Sequence, residues 1–292
     1  MSTDPAPDSR ALHSPQNAQR AAAPPQLRLI ALPDFPVVQV DDDLAALTMA
    51  ALSRAGLDLH SDDVLVYAQK IVSKAEGRRV ALCSVSPGAR ALQLAQVVQK
   101  DARLVELVLR EARRVVRAAK DVLIVEDRRG LVMANAGIDQ SNVADADAAA
   151  GEQALLLPED PDASAARLAA RLGELAGLAA APAVIISDSF GRPWRLGTVG
   201  VAIGCAGLAS LLDLRGQQDL FGRALRVTVV GHADELAAAA SLVMGQADEG
   251  RPVVLVRGLG ALQGVATRTA SGSERHRPAS ALIRPAGEDL FR

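Results

Sequence analysis

Residues 63–78 read DVLVYAQKIVSKAEGR, a short apolar run that passes without a linker into a polar stretch carrying two lysines four residues apart. The first part, Asp63–Tyr67, has the length and β-branched content of a buried strand. The second delivers Gln69, Lys70, Ser73 and Lys74 at that strand's end. Lysine offers phosphate a compact charge, so this is a candidate polyphosphate element. A solvated helix turn with an ordinary surface charge cluster is the plainer alternative.

Comparable runs of Val, Ile and Leu, each bounded by turn residues, predict strands at Leu27–Ala31, Val122–Glu126, Leu131–Ala134, Ala183–Ser187, Leu225–Val230 and Pro252–Arg257. Helical periodicity marks Leu44–Ala55, after Asp41-Asp42-Asp43, and Ala102–Ala119. Further helices are expected at Ala163–Leu175 and Ala233–Met244, where Asp234 and Glu235 suit the positive end of a helix dipole. Strands and helices intermix without a regular βαβ repeat. This predicts an α+β fold, irregular mixed sheets with flanking helices, rather than a doubly wound sheet. Residues 1–26 read as a flexible leader, 27–262 as one globular domain and 263–292 as a tail. The tail is expected to be mobile at first and is apolar enough at Leu-Ile-Arg-Pro and Asp-Leu-Phe-Arg to dock.

Of the 292 residues 49% are hydrophobic and only 2% aromatic, which excludes a disordered chain and a protein that stacks bases or sugars on several rings. A net charge of −2 supplies no field for nucleic acid or an anionic membrane, so neither is expected as a partner. The longest apolar run, Val201–Leu212, is too short to span a bilayer, and no secretory signal is present. Cys83 and Cys205 lie far apart without ligand spacing, which suits a reduced cytoplasmic protein with both thiols as small core residues.

Three more segments are too polar and too oddly punctuated to be plain connectors. Asn135–Asn142, NAGIDQSN, follows a strand and sets Asp139, a hard-metal ligand by type, among Asn, Ser and Gly; a self-satisfied Asx turn is the alternative. Ser187–Arg195, SDSFGRPWR, leaves a strand with Asp188 and Ser189 and continues to Arg192 and Arg195, an acid and a hydroxyl for metal with guanidinium groups for anions. Glycines 197, 200, 204 and 207 follow, for close backbone approach to a ligand or for packing against small residues. Met244–Pro252, MGQADEGRP, could wrap a nucleotide or simply cap a helix end. His232 beside Asp234 reads as a cap or surface residue rather than a general base. No P-loop, GxSxG elbow or HExxH motif is present, and glycines 258, 260 and 264 miss the dinucleotide spacing by one.

Together, and in this order, FPVV at 35–38, the 63–78 stretch, NAGIDQSN, SDSFGRPWRLGTVGVAIG and MGQADEGRPVVLVRGL resemble the coenzyme F-420-0:L-glutamate ligase family, over about 29–259. The resemblance implies a family-specific α+β fold, an intertwined homodimer, GTP as co-substrate, Mg²⁺ or Mn²⁺ with K⁺ assisting, and F-420-0 and L-glutamate as substrates. It implies amide and then γ-glutamyl bond formation through an acyl phosphate. Position by position it places nucleotide contacts on Phe35, Pro36, Val37, Val38, Gln69, Lys70, Lys74, Asn142, Met244, Gly245, Gln246, Ala247, Asp248, Glu249, Gly250 and Arg251. It places metal on Asp139, Asp188, Ser189 and Gln246. Lys74 and Asp188 are expected to act in catalysis, with Arg192 or Arg195 binding a substrate carboxylate or phosphodiester. Two departures stand out: archaeal members commonly carry Ser-Thr at Gln69-Lys70 and Glu at Gln246. A metal-dependent nucleotide phosphohydrolase and a non-catalytic nucleotide- or deazaflavin-binding protein are the competing readings. Phe35, Tyr67, Phe190 and Trp194 fall in or beside these segments, and one or two of these rings, Trp194 foremost, are expected to face guanine or deazaflavin.

Overall fold

The computed structural model of the chain describes residues 24–141, 152–262 and 276–289. The expected leader up to residue 23, the expected nucleotide contact Asn142, and residues 263–275 and 290–292 of the expected tail lie outside them. In chain order the first half forms β1 (Arg28–Ala31), α1 (Leu44–Arg54), β2 (Val64–Ala68), α2 (Gln69–Ala75), β3 (Arg79–Ala81), α3 (Ala89–Val98), α4 (Ala102–Glu111), β4 (Ala112–Ala119), β5 (Val122–Asp127) and β6 (Val132–Ala134). The second forms β7 (Gln153–Leu155), α5 (Pro161–Leu175), β8 (Ala183–Arg192), β9 (Arg195–Ala206), β10 (Leu212–Asp213), β11 (Val229–Val230), α6 (His232–Met244), β12 (Val253–Arg257) and α7 (Leu259–Leu262).

The main sheet has the order β1-β12-β2-β8-β9. Strands β2 and β8 run parallel, and the other neighbours in this sheet are antiparallel. The fold is therefore α+β with mixed sheets, as expected. The unbroken apolar run of β2 follows from its place at the centre. Val64 and Val66 enter a cluster with Ala233, Leu236 and Ala240 of α6. Leu65 and Tyr67 enter another with Leu44 and Leu52 of α1 and Leu172 of α5. A strand covered on both faces has no solvated side on which polar residues could alternate. Tyr67 satisfies its hydroxyl against Thr48 Oγ1 at 2.8 Å.

Helices α1 and α5 start where a side chain can accept a first free amide. Asp43 Oδ1 accepts from Ala46 N at 3.0 Å to open α1, and Asp160 Oδ1 accepts from Ala163 N at 3.0 Å to open α5, with Pro161 in its first turn. A smaller lobe packs α3 and α4 against the sheet β4-β5-β6, around Val98, Leu104, Val108, Leu123 and Val125.

Several expectations are corrected. Helix over Ala102–Ala119 stops at Glu111, and Ala112–Ala119 becomes β4. Leu104, Val105, Leu107 and Val108 keep one buried helical stripe, but the β-branched pair Val115-Val116 does not continue it, and the segment pairs with β5 instead. Asp188 and Ser189 do not leave their strand at Ser187; β8 runs on to Arg192 and turns back as β9. Of Leu225–Val230 only Val229-Val230 is strand. Cys205 is buried as expected but Cys83 is exposed. His232 is buried at the start of α6 rather than capping it or lying on the surface.

Glycines 200, 204 and 207 serve packing. A Cβ on Gly200 would overlap the Ala237 carbonyl of α6, one on Gly204 the Pro161 carbonyl of α5, and one on Gly207 would come within 2.8 Å of Ala183 Cα. Both helices thus lie directly on the backbone of β9. The described part of the tail docks, with Ala279 buried and Leu282 packed against the α6 side of the sheet. Asp162 holds it: Oδ1 accepts from Cys205 N at 2.9 Å and Ala279 N at 2.7 Å, and Oδ2 from Ser280 N at 3.1 Å. Among the described residues no helix is long and apolar enough to cross a membrane.

Candidate active site

The parallel pair β2 and β8 ends on the same side, with Ala68 opposite Ser187. Ligands gather beyond the carboxyl ends of parallel strands because the chain must depart there and leave backbone and side chains free. Beyond Ala68 comes Gln69, buried at the start of α2, and beyond Ser187 comes Asp188. A register shift between Ile186 and Ser187 marks a bulge just before Asp188, the kind of irregularity that re-aims the side chains after it.

Asp139 joins them from the smaller lobe. Its amide and carbonyl pair with Leu155, N to O at 3.0 Å and O from N at 2.8 Å. Gln69 Nε2 donates to its Oδ2 at 3.1 Å, and Lys70 Nζ stands 3.4 Å from the same oxygen while donating to Ser141 Oγ at 3.0 Å. Gln69 Oε1 in turn accepts from Ser73 Oγ at 2.9 Å, so the amide has a fixed orientation. Lys70 is thus the counter-ion of Asp139 as well as a wall of the cleft.

Both acids resist ionisation. Burial raises the Asp139 carboxyl above its ordinary value, and Lys70 and the Gln69 amide work against that rise. Burial pushes Asp188 up to about 7; the charge of Asp139 adds to the rise, while the Ser189 amide, donating to Oδ1 at 2.8 Å, and Lys70 oppose it. Two largely desolvated carboxylates, the charge of one raising the proton affinity of the other, form a site short of positive charge.

The fourth segment closes the cleft from the far side. Ser189 Oγ donates to Gln246 Oε1 at 2.8 Å. Glu249 Oε2 accepts from Ala247 N at 2.8 Å, which holds this carboxyl below its usual range. Gly245 adopts φ +82° with that carboxylate packed where a Cβ would stand, so only glycine fits.

The resulting cleft holds about 750 Å³. Every expected residue at 35–38, 69, 70, 74 and 244–251 lines it, together with Asp139, Asp188 and Ser189. Arg192 does not; its Nη2 donates to the Leu196 carbonyl at 3.3 Å near the β8–β9 turn. Trp194 sits at that turn with φ +57° and is 81% exposed, away from the cleft wall. Of the rings, Phe35 lines the cleft, Phe190 packs against the core and Tyr67 is fully buried. Thr198 and Ser241 line the cleft without having been singled out. Ser241 lies one helical turn before Met244, and Thr198 faces Gly191 across the hairpin. Either follows once the helix and the hairpin register are known.

Asp139, Asp188, Ser189 Oγ and Gln246 Oε1 make an all-oxygen donor set around a deficit of positive charge, which fits a hard divalent cation such as Mg²⁺ or Mn²⁺. A second acidic group, His60, Asp62 and Asp63, is structural: Arg257 pairs with Asp63 through Nε at 2.7 Å and Nη2 at 2.6 Å.

Comparison with known proteins adds an independent line. The profile of the family described as "F420-0:Gamma-glutamyl ligase" matches residues 34–258. A protein of Methanothermobacter thermautotrophicus named "Coenzyme F420:L-glutamate ligase" is 48% identical over 232 residues, covering 80% of this chain and 89% of its own. One of the same name from Methanopyrus kandleri is 45% identical over 268 residues, 92% of this chain and 98% of its own. A third, from Halobacterium salinarum, is 44% identical over 237 residues, 79% of this chain and 87% of its own.

Proposed function

Because this chain belongs to the F420-0:γ-glutamyl ligase family, we propose that it joins L-glutamate to coenzyme F-420-0 at the expense of GTP, in the cytoplasm. The observation that carries this reading is the meeting of Asp139, Asp188, Lys70, Lys74 and the 244–251 loop around one cleft. In the proposed reaction a carboxylate oxygen of F-420-0 attacks the γ-phosphorus of GTP, the bond to the β-phosphate oxygen breaks, and GDP leaves. The glutamate amine then attacks the acyl carbon, phosphate departs, and the ammonium proton is released. A second round on the γ-carboxylate of the added residue forms the γ-glutamyl bond.

The residues divide this work by chemistry. Lys70 and Lys74 supply positive charge to a triphosphate, and backbone amides of the glycine-flanked loop can follow its oxygens. Phe35, Pro36, Val37 and Val38 give an apolar wall suited to a guanine face. Asp139, Asp188, Ser189 and Gln246 would hold Mg²⁺ or Mn²⁺, which when bound supplies charge neutralisation for phosphoryl transfer, with K⁺ as a further cation. Arg192 and Arg195, on the β8–β9 hairpin, belong in this reading to the larger anionic substrate. Homodimerisation is part of the same proposal and is supported by exposed apolar side chains: Leu196 and Leu220 at 98% and Phe221 at 87%. Large exposed apolar patches mark interaction surfaces, and the adjacent Leu220 and Phe221 are the candidates for one.

The test is a mass measurement. Protein incubated with GTP, Mn²⁺, L-glutamate and F-420-0 is expected to add glutamyl residues to F-420-0 and to release GDP in step. GTP turnover without glutamate would instead indicate a phosphohydrolase, and binding without turnover a non-catalytic protein.

A further inference from the structure

Asp139 and Ser141 line not one hollow but two. A second pocket, about 360 Å³, is formed by Lys100, Asp101, Leu104, Asn135 and residues 138–141, and shares Asp139 and Ser141 with the cleft. Its charges do not cancel. Lys100 Nζ donates to Asn135 Oδ1 at 2.9 Å, a neutral acceptor, and among the described residues no carboxylate lies within ion-pair distance of it. The neighbouring acid is spent elsewhere. Asp101 accepts from Arg103 through its amide at 2.7 Å and through Nη2 at 2.5 Å. Asp139, on the shared wall, has Lys70 beside it.

The backbone goes to some trouble to build this wall. Asn135, Ala136 and Gly137 are all left-handed, with φ of 52°, 54° and 69°. That conformation costs a non-glycine residue about 1–2 kcal/mol each. A Cβ on Gly137 would stand 2.6 Å from Leu157 Cδ1. The three-residue turn brings the Asn135 amide onto Lys100 and sends Asp139 to the partition between the two hollows. Strain of this kind concentrates at binding sites, where the surrounding structure enforces it. Leu104 and Ile138 add an apolar wall.

An ammonium held by a neutral amide, an apolar wall and a carboxylate on the partition together complement a zwitterion with a methylene chain. We infer that this pocket is the amino-acid subsite, binding L-glutamate through a carboxylate on Lys100 and leaving its amine on the side of Asp139, toward the cleft. The identity of the amino acid rests on the ligase reading above. Asn135 is a positioning residue that presents the ammonium.

The test is calorimetric titration of L-glutamate into the full chain, alone and holding a non-hydrolysable GTP analogue with Mn²⁺. Lys100→Gln is expected to weaken glutamate binding about tenfold or more, the scale of a lost charge-assisted hydrogen bond, with affinity for the GTP analogue unchanged. Lys100→Arg retains part of the affinity. Asn135→Gly, which keeps the left-handed backbone but removes the amide, gives an intermediate loss. In turnover, Lys100→Gln raises the KM for glutamate far more than that for GTP. Parent-like glutamate affinity in Lys100→Gln, or no glutamate binding by the parent, overturns the inference. If the parent binds glutamate through Lys100 yet adds none to F-420-0, the subsite stands and the ligase reading falls.

Discussion

The Ser189 hydroxyl donates to Gln246 Oε1 at 2.8 Å, tying strand β8 to the loop after α6 along the cleft wall. An amide oxygen stands here beside two carboxylates, so the charge of the donor set is set partly by residue 246. Gln246→Glu adds a third carboxylate and is expected to tighten Mn²⁺ binding about tenfold, while Gln246→Ala weakens it. Electron paramagnetic resonance of free Mn²⁺ during titration reads both. Equal affinities for all three proteins would remove residue 246 from the metal site.

Asp188 sets a pH dependence whose direction is fixed by its burial. An unfolded chain loses this proton near pH 4, whereas the folded protein keeps it to about 7. Between those values the fold binds more protons than the unfolded chain, so this group's contribution to stability declines as pH rises through the window. Chelator-treated Asp188→Asn, free of the ionisation, should melt above the parent at about pH 8, with the gap closing toward about pH 4. Thermal melts across that range measure it; a gap independent of pH would contradict the assignment.

Gly200 and Gly204 separate packing from ligand contact. Alanine at either meets helix backbone, the Ala237 carbonyl in one case and the Pro161 carbonyl in the other, so a loss of about 1–3 kcal/mol or more is expected. Gly191, with nothing within 4 Å of a Cβ, serves as the control and should change stability by no more than about 0.5 kcal/mol. Urea denaturation compares the three.

Asp162 is the clasp of the docked C-terminal segment. Asp162→Ala strands the amides of Cys205, Ala279 and Ser280, which should cost about 2–4 kcal/mol in total. Residues 276–289 should then become the first site of limited proteolysis. Asp162→Asn keeps one accepting oxygen and loses less. A parent-like cleavage pattern in Asp162→Ala would show that the clasp is dispensable.

Oligomeric state tests the apolar surface. If Leu196 and Phe221 face a second copy, the double variant Leu196→Asp, Phe221→Asp shifts light-scattering mass from dimer to monomer. A parent that is monomeric at every concentration, or a variant that stays dimeric, rejects that surface as the interface.

Much of the cleft was legible because its residues come in compact, contiguous segments. Gln69 and Lys70 follow a strand directly, and residues 244–251 join a helix to a strand, so motif and position coincide. Arg192 and Trp194 stand close to Asp188 in the chain, yet neither lines the cleft. Continuation of β8 carries them several residues beyond it, since a strand advances about 3.3 Å per residue. The Ala102–Ala119 segment misled for a related reason. A helical stripe and a β-branched stretch adjoin without a breaker, and pairing with β5 decided the boundary.

By itself, the sequence determined the α+β class, the buried strand at 64–67, the starts of α1 and α4 and the compact segments that line the cleft. Those properties arise from local periodicity, capping and side-chain chemistry. Tertiary structure alone decided which acid faces which, that Lys70 is shared between Asp139 and the cleft, and that Lys100 opens on a pocket sharing that acid. Asp139 and Asp188 are far apart in the chain, and the effect of the Asp139 charge on Asp188 exists only after folding has brought them together and excluded water from around both.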